Sequence, residues 1–197
     1  SIEDVLASKM VAEPLRVLEV VMPVAGGAAV IVASKEVAAR AKNRGACITG
    51  FGEHLYFKSP TYATEMTDTP IGPAAERAFA MAGIQRSDIH AAQIYDCYTI
   101  TVVTSLEDAG FCGRGQGMAF VRDHDLSFRG EFPCNPHGGQ LSFGQAGIAG
   151  GMSHVCDATR QIQARAGANQ VKDCHRAFVT GNGGVMGEQV ALVLQGD

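Results

Sequence analysis

The chain has 197 residues, 46 % hydrophobic and 18 % charged, with a formal net charge of −4. That length suits one domain with a proper core, or one domain plus part of another, and so few charges predict that some apolar surface faces a partner. Scattered basic residues leave no nucleic-acid or anionic-membrane footprint, no apolar run approaches the ~18 residues of a membrane span, and no signal-peptide pattern opens the chain, which makes the cytoplasm the default location.

In chain order, Ser1 with Glu3 and Asp4 reads as the capped first turn of a short helix ending before Pro14. Gly26 to Ala33 is a continuous apolar, β-branched run, expected as a strand covered on both faces. Ser34 caps a short Ala-rich helix to about Lys42, and Ala46 to Phe51 reads as the next strand. A polar connection covers 52 to 71. A helix then runs from Gly72 to about Met81, with Gly83 as its stop.

Ala91 to Tyr95 is a short strand. Thr99 to Gly110 has strand propensity in Ile100-Thr101-Val102-Val103-Thr104 but a helical ending, and is expected as a helix, which puts a reactive loop at 95 to 98. Residues 111 to 134 are expected as a loop-rich excursion. A helix from about Gly147 to Ala166 should bury Ile148, Met152, Val155, Thr159 and Ile162. Ala177 to Thr180 and Gln189 to Leu194 close the chain as an antiparallel hairpin.

Three segments hold the candidate chemistry. Tyr95-Asp96-Cys97-Tyr98 lies where a strand yields to a helix. The helix N-terminus is expected to lower the Cys97 pKa, with a small buried cysteine as the alternative. Tyr95 and Tyr98 point either into a crevice beyond the strand end or outward as amphipathic edge residues. The run Asn135-Pro136-His137-Gly138-Gly139 to Gly144-Gln145-Ala146-Gly147 allows close backbone approach to a ligand, and the N–H groups of the helix after it suit an oxyanion. His137 and Gln145 are its polar side chains, although a loop histidine is more often solvated or structural. Asn182, Gly183 and Gly184 form either an ordinary hairpin turn or a ligand-facing wall. The six cysteines stand singly with no metal-finger spacing, so reduced thiols and no metal are expected.

Together the three segments resemble the C-terminal half of the thiolase superfamily, in its sterol-carrier-protein (SCP2) thiolase and lipid-transfer-protein-like branch. Tyr95-Asp96-Cys97-Tyr98 stands where that branch carries His-Asp-Cys-Phe, and 135 to 147 is similar to its Asn-Pro-x-Gly-Gly … Gly-His-Pro-x-Gly segment. Asn182 to Gly187 resembles the terminal Gly-rich loop, and Asp4 to Ser34 the end of the family's N-terminal domain. The resemblance implies an α/β, thiolase-like layered αβα fold, with 1–45 ending the N-terminal domain and 46–197 forming the C-terminal domain. It also implies an acyl-CoA substrate, no cofactor beyond that coenzyme A thioester, a homodimer, and a missing N-terminal half or separate chain holding the nucleophilic cysteine.

Departures from the family pattern bear on the reaction. Gln145 stands in place of the Gly-His-Pro histidine and cannot accept a proton near neutral pH. Tyr95 replaces the histidine beside Cys97, and a tyrosine there resembles the thiolase-like aldolases of steroid side-chain degradation. Those enzymes imply Tyr95 as proton carrier, Cys97 as a second acid/base, and the loop around Gly138, Gly139 and Gln145 as polar support in retro-aldol cleavage, with Asn135 a candidate for binding substrate. Thiolase or aldolase chemistry is one expectation. The other is a non-catalytic subunit that binds acyl-CoA or a partner such as a small OB-fold acyl-CoA-binding protein.

Overall fold

The computed structural model describes residues 1–196. It begins with α1 (Ile2–Ala7), where the Ser1 side chain accepts from the Asp4 N–H as the sequence predicts. A small antiparallel ribbon follows, β1 (Met10–Ala12) with β2 (Leu15–Arg16), and then α2 (Lys35–Ala38), capped by Ser34. The rest comprises β3 (Cys47–Leu55), α3 (Ile71–Ala82), β4 (Ala91–Gln93), α4 (Thr99–Asp108), α5 (Gly117–Asp123), α6 (Gly139–Phe143), α7 (Gly150–Ile162), β5 (Arg176–Gly183) and β6 (Glu188–Gln195).

The last four strands in this set form one mixed sheet in the order β3-β6-β5-β4. The β5–β6 hairpin and the β3–β6 pair are antiparallel, whereas β4 runs parallel to β5. Side chains alternate between the two faces, as strand geometry requires. Ala92, Phe178 and Val193 meet α3 and α4 on one side, through Ile71, Ala75, Phe79 and Leu106. On the other, Ala91, Ala177, Val179 and Leu194 meet Ala158 and Ile162 of α7. The result is helix, sheet, helix, the expected αβα layering.

Alanines at 74, 75 and 78 let α3 sit low on the sheet, and Gly50 and Gly52 of β3 complete the fit. A Cβ at either glycine would stand 2.0 Å from a carbonyl oxygen of α3, Ala78 and Ala74 respectively. Phe79 stacks on Phe178 at 5.1 Å between ring centroids. Truncating such a ring typically costs about 3–5 kcal/mol.

Four sequence expectations are corrected. Gly26 to Ala33 is not a strand, and Ile31 is 97 % exposed. Its apolar character fits a covered strand, but no backbone among the described residues pairs with it. The 111 to 134 excursion contains α5, and at its end Pro133 to Asn135 returns to the sheet edge, where the Ala92 N–H donates to the Pro133 carbonyl and the Asn135 N–H to the Ala92 carbonyl. The long helix expected from Gly147 begins at Gly150, after a single 3-10 turn, and ends at Ile162. Its buried face is polar, with His154, Asp157 and Gln161 beside Ala158 and Ile162, while Ile148 is fully exposed. The apolar template is met at Ile162 and, in part, at Val155, but it leaves out the polar residues that fill most of that face.

Candidate functional site

The site is built around the carboxyl end of β4, where Tyr95 leaves the sheet. Its N–H donates to Thr180 Oγ1 of β5 at 2.8 Å, which extends the strand pairing by one side-chain bond. At the preceding residue, the Asn135 carboxamide accepts from the Ile94 N–H at 2.8 Å and donates to the Ile94 carbonyl at 2.9 Å. One side chain thus imitates the next residue of a neighbouring strand. Past the tyrosine, Thr101 Oγ1 donates to the Tyr98 carbonyl at 2.7 Å, closing the turn into α4.

The glycine-rich run folds around an internal anion. Asp96 accepts from the Gln140 N–H through Oδ1 at 2.9 Å and from the Leu141 N–H through Oδ2 at 3.2 Å. Gly139 has φ +68°, and a Cβ there would lie 2.0 Å from Asp96 Oδ2. The first amides of α6, a helix that the sequence expectations do not include, are taken up by this buried carboxylate. Asn135, Gly138 and Gly139 accordingly have structural work around Tyr95 and Asp96. A short helix, α6, intervenes before α7, so the run does not feed straight into the longer helix.

Beyond α6 the chain returns to the tyrosine. Gln145 Nε2 donates to the Tyr95 hydroxyl at 2.9 Å and to the Gly147 carbonyl at 3.1 Å. An N-terminal segment laces the two site loops together: the Val21 N–H donates to the Cys97 carbonyl at 3.0 Å, the Gln145 N–H to the Met22 carbonyl at 2.8 Å, and the Val24 N–H to the Gln145 carbonyl at 3.0 Å. Next to this lacing lies a cavity of about 250 Å³, walled by Val24, Gly26, Phe143, Ala149, Gly150 and others.

Cys97 is half-buried and lies two residues past Tyr95, and when ionised it raises the phenol pKa. Burial pushes the Cys97 thiol up, and contacts from Thr101 and Asn182 oppose this only in part. The expected thiolate-favouring helix terminus is thus overruled by desolvation: Cys97 precedes the cap residue Tyr98, and its Sγ makes only a long 4.0 Å contact to Thr101 Oγ1. Tyr95 is shifted the same way, first by burial and then by Cys97, against a lowering contact from Gln140. Both groups are therefore protonated at rest. Asn182 lies within β5, not in the turn, and its Oδ1 accepts from the Met186 N–H at 3.0 Å. Gly183 ends that strand and Gly184 opens the turn.

Tyr95, Cys97, Gln145 and Asn182 are thus brought together. His137 stands apart in a buried polar layer, its Nδ1 3.5 Å from Asp157 Oδ2 and its ring 5.2 Å from that of His154. Among the described residues neither His137 ring nitrogen has a hydrogen-bond partner. The layer continues through Gln93, Gln140, His154 and Gln161, all buried and none singled out from the sequence. Their signal was present as polar residues at the spacing of one helix face, 154, 157, 161, in α7.

Layered αβα architecture with these three loops meeting at the end of β4 defines a thiolase-like protein. Residues 52–196 match the thiolase C-terminal domain-like family, and the chain belongs to it. It is 35 % identical over 192 residues to a steroid side-chain-cleaving aldolase of Thermomonospora curvata, covering 94 % of this chain and 48 % of that protein. A 17-hydroxy-3-oxo-4-pregnene-20-carboxyl-CoA lyase of Mycobacterium tuberculosis is 32 % identical, with 94 % and 48 % covered. An acetyl-CoA acetyltransferase of Methanothermobacter thermautotrophicus is 28 % identical, with 95 % and 49 % covered. The solved structure of an Ltp2-ChsH2(DUF35) aldolase superposes with a TM-score of 0.85 at 30 % identity, covering all of this chain and 51 % of that one. The chain spans about half the length of the curated relatives it matches. Among the described residues no helix is long and apolar enough to cross a membrane.

Proposed function

We propose that this chain is the C-terminal part of a thiolase-like enzyme that cleaves a carbon–carbon bond of a β-hydroxyacyl-CoA by a retro-aldol reaction. The observation that carries this reading is the Tyr95 phenol held by Gln145 at 2.9 Å, where thiolases would need a basic histidine. An amide cannot take up a proton near neutral pH, but it can orient a phenol that does. In its phenolate form, the minor one that burial leaves, Tyr95 takes the proton of the substrate's β-hydroxyl, directly or through water, as the Cα–Cβ bond breaks. Its electrons pass into the thioester as an enolate while the β-carbon leaves as a carbonyl compound. Cys97, kept as a thiol by burial, gives its proton to the α-carbon, and the proton taken up by Tyr95 then passes to the Cys97 thiolate, regenerating phenolate and thiol. No acyl-enzyme forms, so no nucleophilic cysteine is required.

Aldolase or lyase relatives at 35 % and 32 % identity support the reaction class. Apolar residues left in the open, Val32 at 77 % and Ile31 among them, support a further reading that another thiolase-type half, a second copy or a small acyl-CoA-binding chain covers this side. The coenzyme A thioester enters as substrate, with part of its acyl group in the cavity beside Gln145.

The test is an assay of the full-length protein for carbonyl release from a β-hydroxyacyl-CoA beside thiolysis of acetoacetyl-CoA. Release without thiolysis is expected, with Tyr95→Phe lowering kcat by about a hundredfold or more and leaving the thermal midpoint nearly unchanged. Thiolysis alone would overturn the aldolase reading. Activity in neither assay, with a coenzyme A ester still bound, would favour a binding subunit.

A further inference from the structure

The turn that joins β5 to β6 is built against the preferences of its own residues. The Gly187 N–H donates to the Gly184 carbonyl at 3.2 Å, and the two residues between them, Val185 and Met186, have φ of +53° and +64°. Positive φ at both central positions is the type I′ hairpin geometry, which asparagine followed by glycine adopts readily. Valine is poorly suited to it, because a branched Cβ crowds the backbone in the left-handed region. Each such residue weakens the folding equilibrium roughly tenfold. Burial does not compensate, since Val185 is 68 % exposed.

Contacts on either side hold the turn in this shape. Asn182 Oδ1 accepts from the Met186 N–H at 3.0 Å, and the Tyr56 N–H donates to the Gly187 carbonyl at 2.8 Å. A Cβ on Gly187 would run into the Phe57 carbonyl, so the turn sits directly on that residue. Strained backbone fixed from outside in this way gathers at sites of function. The turn also stands at the end of the sheet where Tyr95 leaves it. β4 pairs with β5 as far as Gln93 opposite Val179, and Thr180 takes the Tyr95 N–H. From Thr180 the hairpin runs on to Gly183 opposite Glu188, about 10 Å farther. It therefore rises beside the crevice beyond the strand ends, where α/β folds take ligands.

Resting on the retro-aldol reading of that crevice, we propose that the turn is a substrate-facing wall and that Val185 is a specificity residue, packing against a bulky apolar part of the acyl-CoA substrate. Neither local conformation nor burial within the chain favours valine at this position, whereas an apolar contact with a ligand does. The cavity beside Gln145 points to the same substrate chemistry. Its walls include Val24, Phe143 and Ala149, and its one polar side chain among the described residues, Ser153, is engaged on the Gly150 carbonyl at 2.8 Å.

Val185→Asn tests this in the full-length protein, because asparagine accepts positive φ and removes the apolar contact. The thermal midpoint is expected to rise by about 1–3 °C as strain is relieved. Calorimetry with cyclohexanecarbonyl-CoA, which has no β-hydroxyl and is not cleaved, should show the dissociation constant rising about tenfold, the effect of one apolar group in a pocket. Affinity for acetyl-CoA should stay within about twofold. Val185→Ile keeps both the strain and the apolar surface, and should hold the cyclohexane ester within about threefold of the parent. Equal affinity of Val185→Asn and the parent for the cyclohexane ester overturns the proposal, as does an equal loss for both esters. A midpoint that does not rise overturns it as well, by removing the strain that calls for a function. Binding is read here, not turnover. Absence of retro-aldol activity would therefore remove the proposed reaction and leave this comparison standing, so the two failures are distinguishable.

Discussion

Gln145 Nε2 donates to the Tyr95 hydroxyl at 2.9 Å, and its own backbone N–H is fixed on the Met22 carbonyl at 2.8 Å. The amide is thus tied to the phenol at one end and to the N-terminal segment at the other. Gln145→Leu keeps the bulk and the backbone bond but removes the donor. A fall in kcat of about tenfold is expected, from the roughly 1.5 kcal/mol of a hydrogen bond to a charge-developing group, with KM little changed. Steady-state kinetics on the full-length protein checks it; a rise in KM at constant kcat would make Gln145 a binding residue.

Gly139→Ala separates backbone strain from contact. Gly83, which stops α3, has φ +66° and open space around a Cβ, whereas Gly139 has φ +68° and Asp96 Oδ2 2.0 Å away. Gly83→Ala is expected to cost about 1–2 kcal/mol for the left-handed conformation alone. Gly139→Ala should exceed it by about 2 kcal/mol, because the Asp96 carboxylate must leave the amides of α6. Urea denaturation of both variants measures the difference, and equal losses would remove Asp96 as the reason for this glycine.

Much of this arrangement was readable before the structure. Alternation and turn residues gave the β5–β6 hairpin, the Gly83 stop of α3 and the helical ending of α4, because each is a local signal. That Tyr95 and Gln145 share one site was implied by the family resemblance, since fifty positions apart no spacing rule connects them; their hydrogen bond is a finding of the structure. Two things were hidden. Gly26 to Ala33 has the composition of a covered strand, but pairing is a tertiary fact and no partner is present among the described residues. The buried polar layer was missed because apolar periodicity cannot flag a helix face built from His154, Asp157 and Gln161. Cys97 shows the same limit for pKa: a helix terminus is visible in sequence, whereas the burial that outweighs it is not.

The thiols give a chemical check. Cys47 is exposed, while burial pushes Cys97 up and drives Cys134 and Cys174 to about 12. Alkylation by iodoacetamide near neutral pH should modify Cys47 first and Cys97 more slowly, with Cys134 and Cys174 reacting only on unfolding. Peptide mass spectrometry over time measures the order, and a Cys97 faster than Cys47 would restore it as an activated thiolate. The sign for stability follows. Raised native pKa values mean that stabilisation from Cys134 and Cys174 is complete below about pH 9 and falls as pH climbs toward 12, at about 1.4 kcal/mol per unit for each thiol.

At the acid end His137 and His90 both have lowered pKa values, and His137 is the one in the polar layer beside the site. Burial lowers its pKa below the ordinary 6.5, helped by His154 and opposed by Asp157. The native state therefore binds its proton less readily than the unfolded chain. Its contribution is fully present above about pH 6.5 and declines as pH falls below that value toward the lowered native pKa. His137→Leu removes the titrating group from between Phe143 and Asp157 and should flatten this decline. The variant is also expected to keep the retro-aldol rate within a few fold, since His137 contacts Asp157 and not Tyr95. Urea midpoints from about pH 8 to about pH 5, for both proteins, provide the comparison. A variant as acid-sensitive as its parent would assign the acid limb to His90 or another group of the polar layer, and a variant that is stable but inactive would bring His137 into the chemistry.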